Sequence, residues 1–110
     1  METIEMRIND LQPGDYLSEK SQRHMRNLST QEIMSLGTPH VYETAAGKIL
    51  FDGNNRTAVL SKRGLDAVKV KYLPKSEIPQ FIAQEVEDVL AIVDNLRRDG
   101  IYKVADNRAE

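Results

Sequence analysis

One stretch decides how the fold is predicted: Ile49-Leu50-Phe51-Asp52-Gly53-Asn54-Asn55-Arg56-Thr57-Ala58-Val59-Leu60. It opens with three apolar residues, which predict a short buried strand. Asp52 and Gly53 are typical turn residues. The residues from Thr57 to Lys62 predict a helix that stops at Gly64. A strand therefore leads through a tight turn directly into a helix.

This strand–turn–helix segment has the features of an anion site. The first N–H groups of a helix have no intrahelical acceptor and lie at the positive end of the helix dipole, so they bind phosphate readily. Gly53 lets the backbone approach a ligand closely, and Arg56 can donate paired hydrogen bonds to phosphate or carboxylate. Asp52 would hold a ribose hydroxyl, a metal ion or the loop itself. Spacing alone favours the structural interpretation, in which Asn54 and Asn55 are turn or cap residues and Arg56 pairs with a surface carboxylate.

Working outward, alternating and apolar runs predict the other strands. The expected strands cover residues 4–8, 40–43, 48–51 and 68–73, with a hairpin turn at 45–47 and a second turn at 12–15. Ser29 followed by Glu32 is typical of a capping box at the start of a helix that ends near Gly37. The polar residues 18–27 fit either a short exposed helix or a mobile loop. Their basic side chains, Lys20, Arg23, His24 and Arg26, would be solvated or would close over phosphates; the solvated interpretation is slightly favoured.

The longest apolar stripe predicts one continuous helix over residues 78–98, within a C-terminal helical element at 74–100. We expect Pro79 at its first position and Gly100 at its end. Its polar face is acidic, and its apolar stripe predicts that four residues are buried: Ile82, Val86, Val89 and Val93. Any part of the stripe that the sheet leaves uncovered would form a homodimer contact. Residues 101–104 are expected to form a short strand, and residues 105–110 to be frayed.

Composition limits the classes of protein. The chain has 110 residues, of which 40% are hydrophobic and 29% charged, and these values predict a single ordered domain over residues 1–110. It has no cysteine, which excludes disulfides, thiolate nucleophiles and cysteine-ligated zinc. It contains no apolar run that predicts a membrane helix or a secretory signal, so we expect no membrane partner and a cytoplasmic location.

The run DGNNRTAVLSKRGLDAVKVKYL, residues 52–73, resembles the core of the ParB/sulfiredoxin-like superfamily. In that superfamily a strand ends in a Gly- and Arg-containing motif at a helix start, and a Gly-containing turn and a V-x-V strand follow. Residues 8–13 are similar to its I-x-D-L-x-P turn, and residues 37–42 to the entry of its central hairpin. The resemblance covers about residues 4–73. It implies an α+β fold with a small mixed sheet and packed helices, to which this chain adds the long C-terminal helix.

Members of the superfamily bind nucleotides or related phosphates at this turn. Asp52, Gly53 and Arg56 match its defined positions, and Asn54 and Asn55 occupy its variable ones. With Thr57 they form the candidate phosphate or nucleotide site. Sulfiredoxin activity needs a cysteine in the turn and is excluded, because asparagines stand there. The Glu-Arg-Arg and E-N-x-x-R motifs of the chromosome-partitioning members are absent, so sequence-specific DNA binding is not expected.

Two classes of function follow from these observations. The first is a nucleotide- or phosphate-binding domain, with Mg²⁺ as a candidate companion of the nucleotide and with phosphotransfer or nucleotide hydrolysis as the candidate reaction. The alternative is a non-catalytic interaction module or a DNA-associated regulatory module. His24 and His40 have no metal-ligand spacing and are expected to be structural or surface residues. The basic residues Lys62, Arg63, Lys69, Lys71 and Lys75 would support only nonspecific, salt-sensitive contacts with nucleic acid.

Overall fold

The computed structural model describes residues 2–108. Within these residues the strands are β1 (Glu2–Arg7), β2 (Gln12–Pro13), β3 (His40–Thr44), β4 (Gly47–Asp52) and β5 (Ala67–Leu73). They form one mixed sheet in the order β1-β5-β3-β4-β2. β3 and β4 form the predicted antiparallel hairpin, and β1 pairs with β5 in the same sense. β3 is parallel to β5, and β2 is parallel to β4. The four strands predicted between residues 4 and 73 are confirmed within a few residues.

One predicted turn is wrong. Gln12 and Pro13 were expected to be turn residues, but they pair with Ile49 and Leu50 and form β2 at an edge of the sheet. Proline is tolerated there because an edge strand has one side without a partner strand. Gly14 follows, and a Cβ on it would lie only 2.4 Å from the carbonyl oxygen of Leu50. The glycine thus lets the chain run close beside β4.

The helices are α1 (Glu19–Arg26), α2 (Thr30–Ser35), α3 (Asn54–Lys62) and α4 (Ala83–Arg98). The alternatives for residues 18–27 are resolved in favour of a helix, which Ser18 caps through a bond from the N–H of Ser21. The predicted capping box of Ser29 and Glu32 is present at the start of α2. α3 begins at Asn54, three residues earlier than predicted. These three residues form its first turn because Gly53 takes the N-cap position.

The main core lies between one face of the sheet and helices α1 to α3. Val41, Leu50 and Val70 enter it from the strands, and Met25, Ile33 and Leu60 enter it from the helices. Side chains alternate along a strand, so Ile49 and Tyr42 point to the opposite face. α4 covers part of that second face. Burial, together with the carboxylates of Glu85 on α4 and Asp52, raises the pKa of Tyr42 above its ordinary value.

The C-terminal helix differs from its prediction in length and depth. The α-helix begins at Ala83, because the chain is extended at Pro79 and then makes a 3-10 turn at Gln80–Ile82. Residues 83–98 form one helix with no break. Val93 is buried as predicted, but Ile82, Val86 and Val89 are only half-buried. The sheet therefore covers the C-terminal half of the stripe more completely than the N-terminal half.

The segment after α4 was predicted wrongly. No strand forms at 101–104; instead, the backbone N–H groups of Tyr102 and Lys103 donate to the Asp106 carboxylate and stabilise a 3-10 turn at Val104–Asp106. Asn107 is buried and donates to the carbonyl of Asp15. This bond holds the chain against the rest of the fold as far as Asn107. Residues 109 and 110, also predicted to be frayed, lie outside the described part. The fold is α+β, and none of its described helices is long and apolar enough to cross a membrane.

Candidate functional site

The turn between β4 and α3 depends on Gly53. Its φ of 91° lies in the left-handed region, and a Cβ would sit 3.0 Å from both Pro39 and the Arg56 guanidinium. A larger residue would meet backbone strain and a steric clash. The first helical bond runs from the N–H of Thr57 to the carbonyl of Gly53, at 2.9 Å. The N–H groups of Asn54, Asn55 and Arg56 therefore have no acceptor within the helix.

The side chain of Asn54 has a structural role. Its Nδ2 donates to the carbonyl of Leu50, and its Oδ1 accepts the N–H of Gly14, both at 3.0 Å. The residue is buried. Asn54 thus fastens the chain after β2 to the end of β4. Its side-chain amide is used in these contacts, whereas its backbone N–H has no acceptor within the helix.

Asn55 fastens a second element to the turn. Its Oδ1 accepts the backbone N–H of Ser18 at 2.9 Å, and its Oδ1 and carbonyl oxygen each lie 3.1 Å from Nε2 of Gln22. Both donor residues belong to the start of α1. The variable positions of the resembled motif are therefore occupied here by residues that join the turn to its surroundings.

Arg56 lies in a slot between two glycines. Its guanidinium is 3.8 Å from the position that a Cβ on Gly37 would take, and it also lies against Gly53. Its Nη2 is 3.7 Å from the Asp52 carboxylate. The Arg56 side chain is 20% exposed and that of Asp52 is 64% exposed, so this ion pair is largely open to solvent and contributes little stability. Within residues 2–108, the buried Nε of Arg56 has no hydrogen-bond partner.

The turn and α1 both line a cleft of about 600 Å³. Five of the six predicted site residues line it, namely Asp52, Gly53, Asn54, Asn55 and Arg56. Thr57 does not, because it is fully buried and its N–H is used in the helix. The other residues that line the cleft are Asp15, Tyr16, Lys20, Ser21, His24, Met25, Leu36 and Phe51.

Lys20 and His24 are the cleft residues whose role the sequence left undecided. They lie four residues apart on α1 and therefore share one face of it. They line the same cleft as Arg56. Arg23 and Arg26, in contrast, lie 4.0 and 3.6 Å from the Glu19 carboxylate and do not line the cleft. Their i, i+4 spacing can be seen in the sequence, but it places both side chains on one face only if the segment is helical.

The second basic group seen in the sequence does not act as one cluster. Arg63 donates to the carbonyls of Met25 and Leu28 and to the Thr30 hydroxyl, so it fastens the α1–α2 connection to α3. Lys69 and Lys71 are exposed on β5. Among residues 2–108, no three histidine, aspartate or glutamate side chains are grouped as metal ligands.

Comparisons with known proteins support the fold but do not indicate an activity. No protein-family model matches the sequence. The search of curated proteins also gives no match. The chain is similar to the crystal structure of protein Atu1540 from Agrobacterium tumefaciens, with a TM-score of 0.54 and 16% identity over 84% of this chain. The chain spans about half of that protein, since the match covers 49% of its length. At this identity the likeness concerns the fold alone.

Proposed function

We propose that the cleft binds a ligand that carries phosphate, with a nucleotide as the favoured class. One observation carries the proposal: the first residues of α3, whose N–H groups have no acceptor within the helix, line the same cleft as Lys20 and His24. Backbone amides at a helix start and cationic side chains are the groups that proteins use for phosphate. The resemblance of the turn to the ParB/sulfiredoxin-like superfamily supports the same ligand class.

The carboxylates of the cleft also have roles in this proposal. Asp52 contacts Arg56 and can stabilise the turn before a ligand binds. When a nucleotide is bound, the exposed Asp52 carboxylate is free to accept a ribose hydroxyl or to contact the accompanying Mg²⁺, which prefers oxygen ligands. A phosphotransfer or hydrolysis reaction would also need a group that accepts a proton from the attacking hydroxyl or water. Besides Asp52, His24 and Asp15 are cleft residues with such a group.

The test is a screen of nucleotides, with and without Mg²⁺, by thermal melting and then by calorimetry. A ligand that binds only the folded state raises the melting temperature. We expect Arg56→Ala to weaken binding by about 1.5–3 kcal/mol, because a charge-assisted hydrogen bond is lost. Arg98→Ala is the matched control, since it removes the same charge from the exposed end of α4.

Equal affinities in well-folded wild-type and Arg56→Ala proteins would contradict the site. Loss of the thermal transition in Arg56→Ala would instead support the structural interpretation, in which Arg56 holds the turn. Asp52→Asn is a useful further variant, because it removes the charge and keeps a polar side chain. We expect it to change mainly the Mg²⁺ dependence of binding. A cytoplasmic location, where nucleotides are abundant, belongs to the same proposal.

A non-catalytic interaction module is the second candidate, and the surface of the C-terminal element favours it. Phe81 is 87% exposed, and the half-buried residues Ile82, Val86 and Val89 continue the apolar surface along α4. A second copy of the chain is the proposed partner, with the two α4 helices side by side. Sedimentation over a range of protein concentrations tests this pairing. Phe81→Glu should give a monomer if the wild type dimerises, and a wild-type monomer at all concentrations would overturn it.

A further inference from the structure

We infer that Gln22 is a positioning residue of the cleft. It holds α1 against the first turn of α3, so that Lys20 lines the same cleft as Arg56. The effect of Gln22 on ligand binding can be measured only if the proposed function is correct, so this part of the inference rests on it. Its structural part, the placement of α1, can be tested without any ligand.

Gln22 is buried, and its side chain joins α1 to α3 by hydrogen bonds. The side chain is only 1% exposed, although glutamine is usually a surface residue. Its Nε2 lies 3.1 Å from both the carbonyl oxygen and Oδ1 of Asn55. A side-chain amide has two N–H donors, so each acceptor can receive one of them. Leaving the buried amide of Gln22 without these acceptors would be unfavourable, so the contact between Gln22 and Asn55 favours this one placement of α1.

A second bond next to Gln22 fixes the same end of the helix. The N–H of Ser18, the residue that caps α1, donates to Oδ1 of Asn55 at 2.9 Å. Asn55 thus receives donors from two positions about one turn apart on α1. Two fixed points set both the position of the helix and its rotation about its axis. The far end of α1 is fastened separately, because Arg63 donates to the carbonyl of Met25.

This rotation decides which side chains enter the cleft. Gln22 is a buried residue of α1 that does not line the cleft, whereas the exposed residues Lys20 and His24 do. Successive residues of a helix are about 100° apart, so a modest rotation would move Lys20 away from the cleft. Helix α1 thus forms a wall of the cleft whose position these bonds set. Asn55, which the resemblance puts at a variable position of the motif, contributes by holding this wall.

A double-mutant cycle tests the inference, with inorganic pyrophosphate as the probe and calorimetry as the measurement. The proteins are wild type, Gln22→Met, Lys20→Ala and the double variant; methionine keeps the length of glutamine but has no N–H donors. We expect Gln22→Met to weaken pyrophosphate binding about five- to tenfold and to have almost no further effect when Lys20 is already absent, because coupled residues are not additive. Gln31→Met on α2 is the matched control and should leave the affinity unchanged.

Amide hydrogen exchange in the ligand-free proteins separates this inference from the proposed function. Gln22→Met should speed exchange at the N-terminal half of α1 while the strands stay protected. If wild type binds neither pyrophosphate nor any nucleotide of the screen, the proposed function fails and exchange alone decides on Gln22. Unchanged exchange in α1, or additive losses of affinity in the cycle, would overturn the positioning role. Should Gln22→Met fail to fold, Gln22→Asn keeps the amide on a shorter side chain and is put through the same measurements.

Discussion

Helices α3 and α4 pack on opposite faces of one sheet, and they are buried to different depths. In α3 the four residues from Thr57 to Leu60 are all buried, and so is Asn54 at its first position. In α4 only Val93 and Leu96 are buried, although its apolar stripe is longer and more regular. The helix with the weaker sequence pattern is therefore the more deeply packed one.

The difference comes from what lies against each helix. α3 has the sheet on one side and is also packed against α1, α2 and the 3-10 turn at Val104–Asp106. α4 packs mainly against β2 and the 3-10 turn that precedes it. Periodicity shows which face of a helix turns inward, because it reports the direction of the apolar side chains. It does not show how much of that face is covered, because the cover comes from other parts of the chain.

The largest expected effect uses one leucine from each helix. Leu60 in α3 is buried, and Leu60→Ala should lower the free energy of unfolding by about 2–5 kcal/mol through lost burial and a cavity. Leu90 in α4 is half-buried, and Leu90→Ala should cost about 1 kcal/mol. Urea denaturation measures both. Equal losses would show that the α4 face is covered in solution, and repeating the measurement at a second protein concentration would reveal whether another copy covers it.

A smaller effect is expected from the polar contacts of the two helices. Asn54→Ala should cost about 1–3 kcal/mol, because it leaves the buried N–H of Gly14 without its acceptor. Asn95→Ala, on the exposed face of α4, should change stability by about 0.5 kcal/mol or less. The same denaturation experiment compares them. A loss for Asn54→Ala as small as that for Asn95→Ala would mean that the chain around Gly14 is held by other contacts.

Much of the fold could be predicted because the signals are local. The capping box of Ser29 and Glu32 and the hairpin turn each depend on residues close together in the sequence, and both are confirmed. The failures depend on distant partners. β2 exists because Gln12 and Pro13 pair with β4, and the segment around Asn107 is held in place because Asn107 donates to the carbonyl of Asp15. Nothing near these residues in the sequence indicates those contacts.

The candidate site shows the same division. The turn from Asp52 to Arg56 could be identified from its strand–glycine–helix pattern, and these residues do line one cleft. The presence of Lys20 and His24 in the same cleft could not, because it depends on how α1 is joined to the turn, and Gln22 and Asn55 are among the residues that join them. The sequence separation of those two residues leaves no pattern to detect. Pairings of this kind need the folded structure.

The smallest expected effect concerns how the helices begin, and it depends on pH. Ser29 donates its backbone N–H to the Glu32 carboxylate, and this bond, with a further contribution from the Ser29 side chain, lowers the pKa of Glu32 below its ordinary value. The start of α4, in contrast, has no side-chain cap. A carboxyl group whose pKa is lowered by folding stabilises the protein above its unfolded pKa, and this stabilisation is lost as the pH falls through the folded pKa.

Glu32→Gln removes the charge that this stabilisation needs. We therefore expect the variant to melt slightly below wild type at neutral pH, and the difference to shrink as the solution is acidified below the usual range of glutamate titration. Thermal melts across that range measure the difference. Glu87→Gln makes the same charge change on the exposed face of α4 and corrects for the overall charge of the protein. A difference between the two variants that stayed constant from neutral to acidic pH would show that the cap does not depend on the ionised carboxylate.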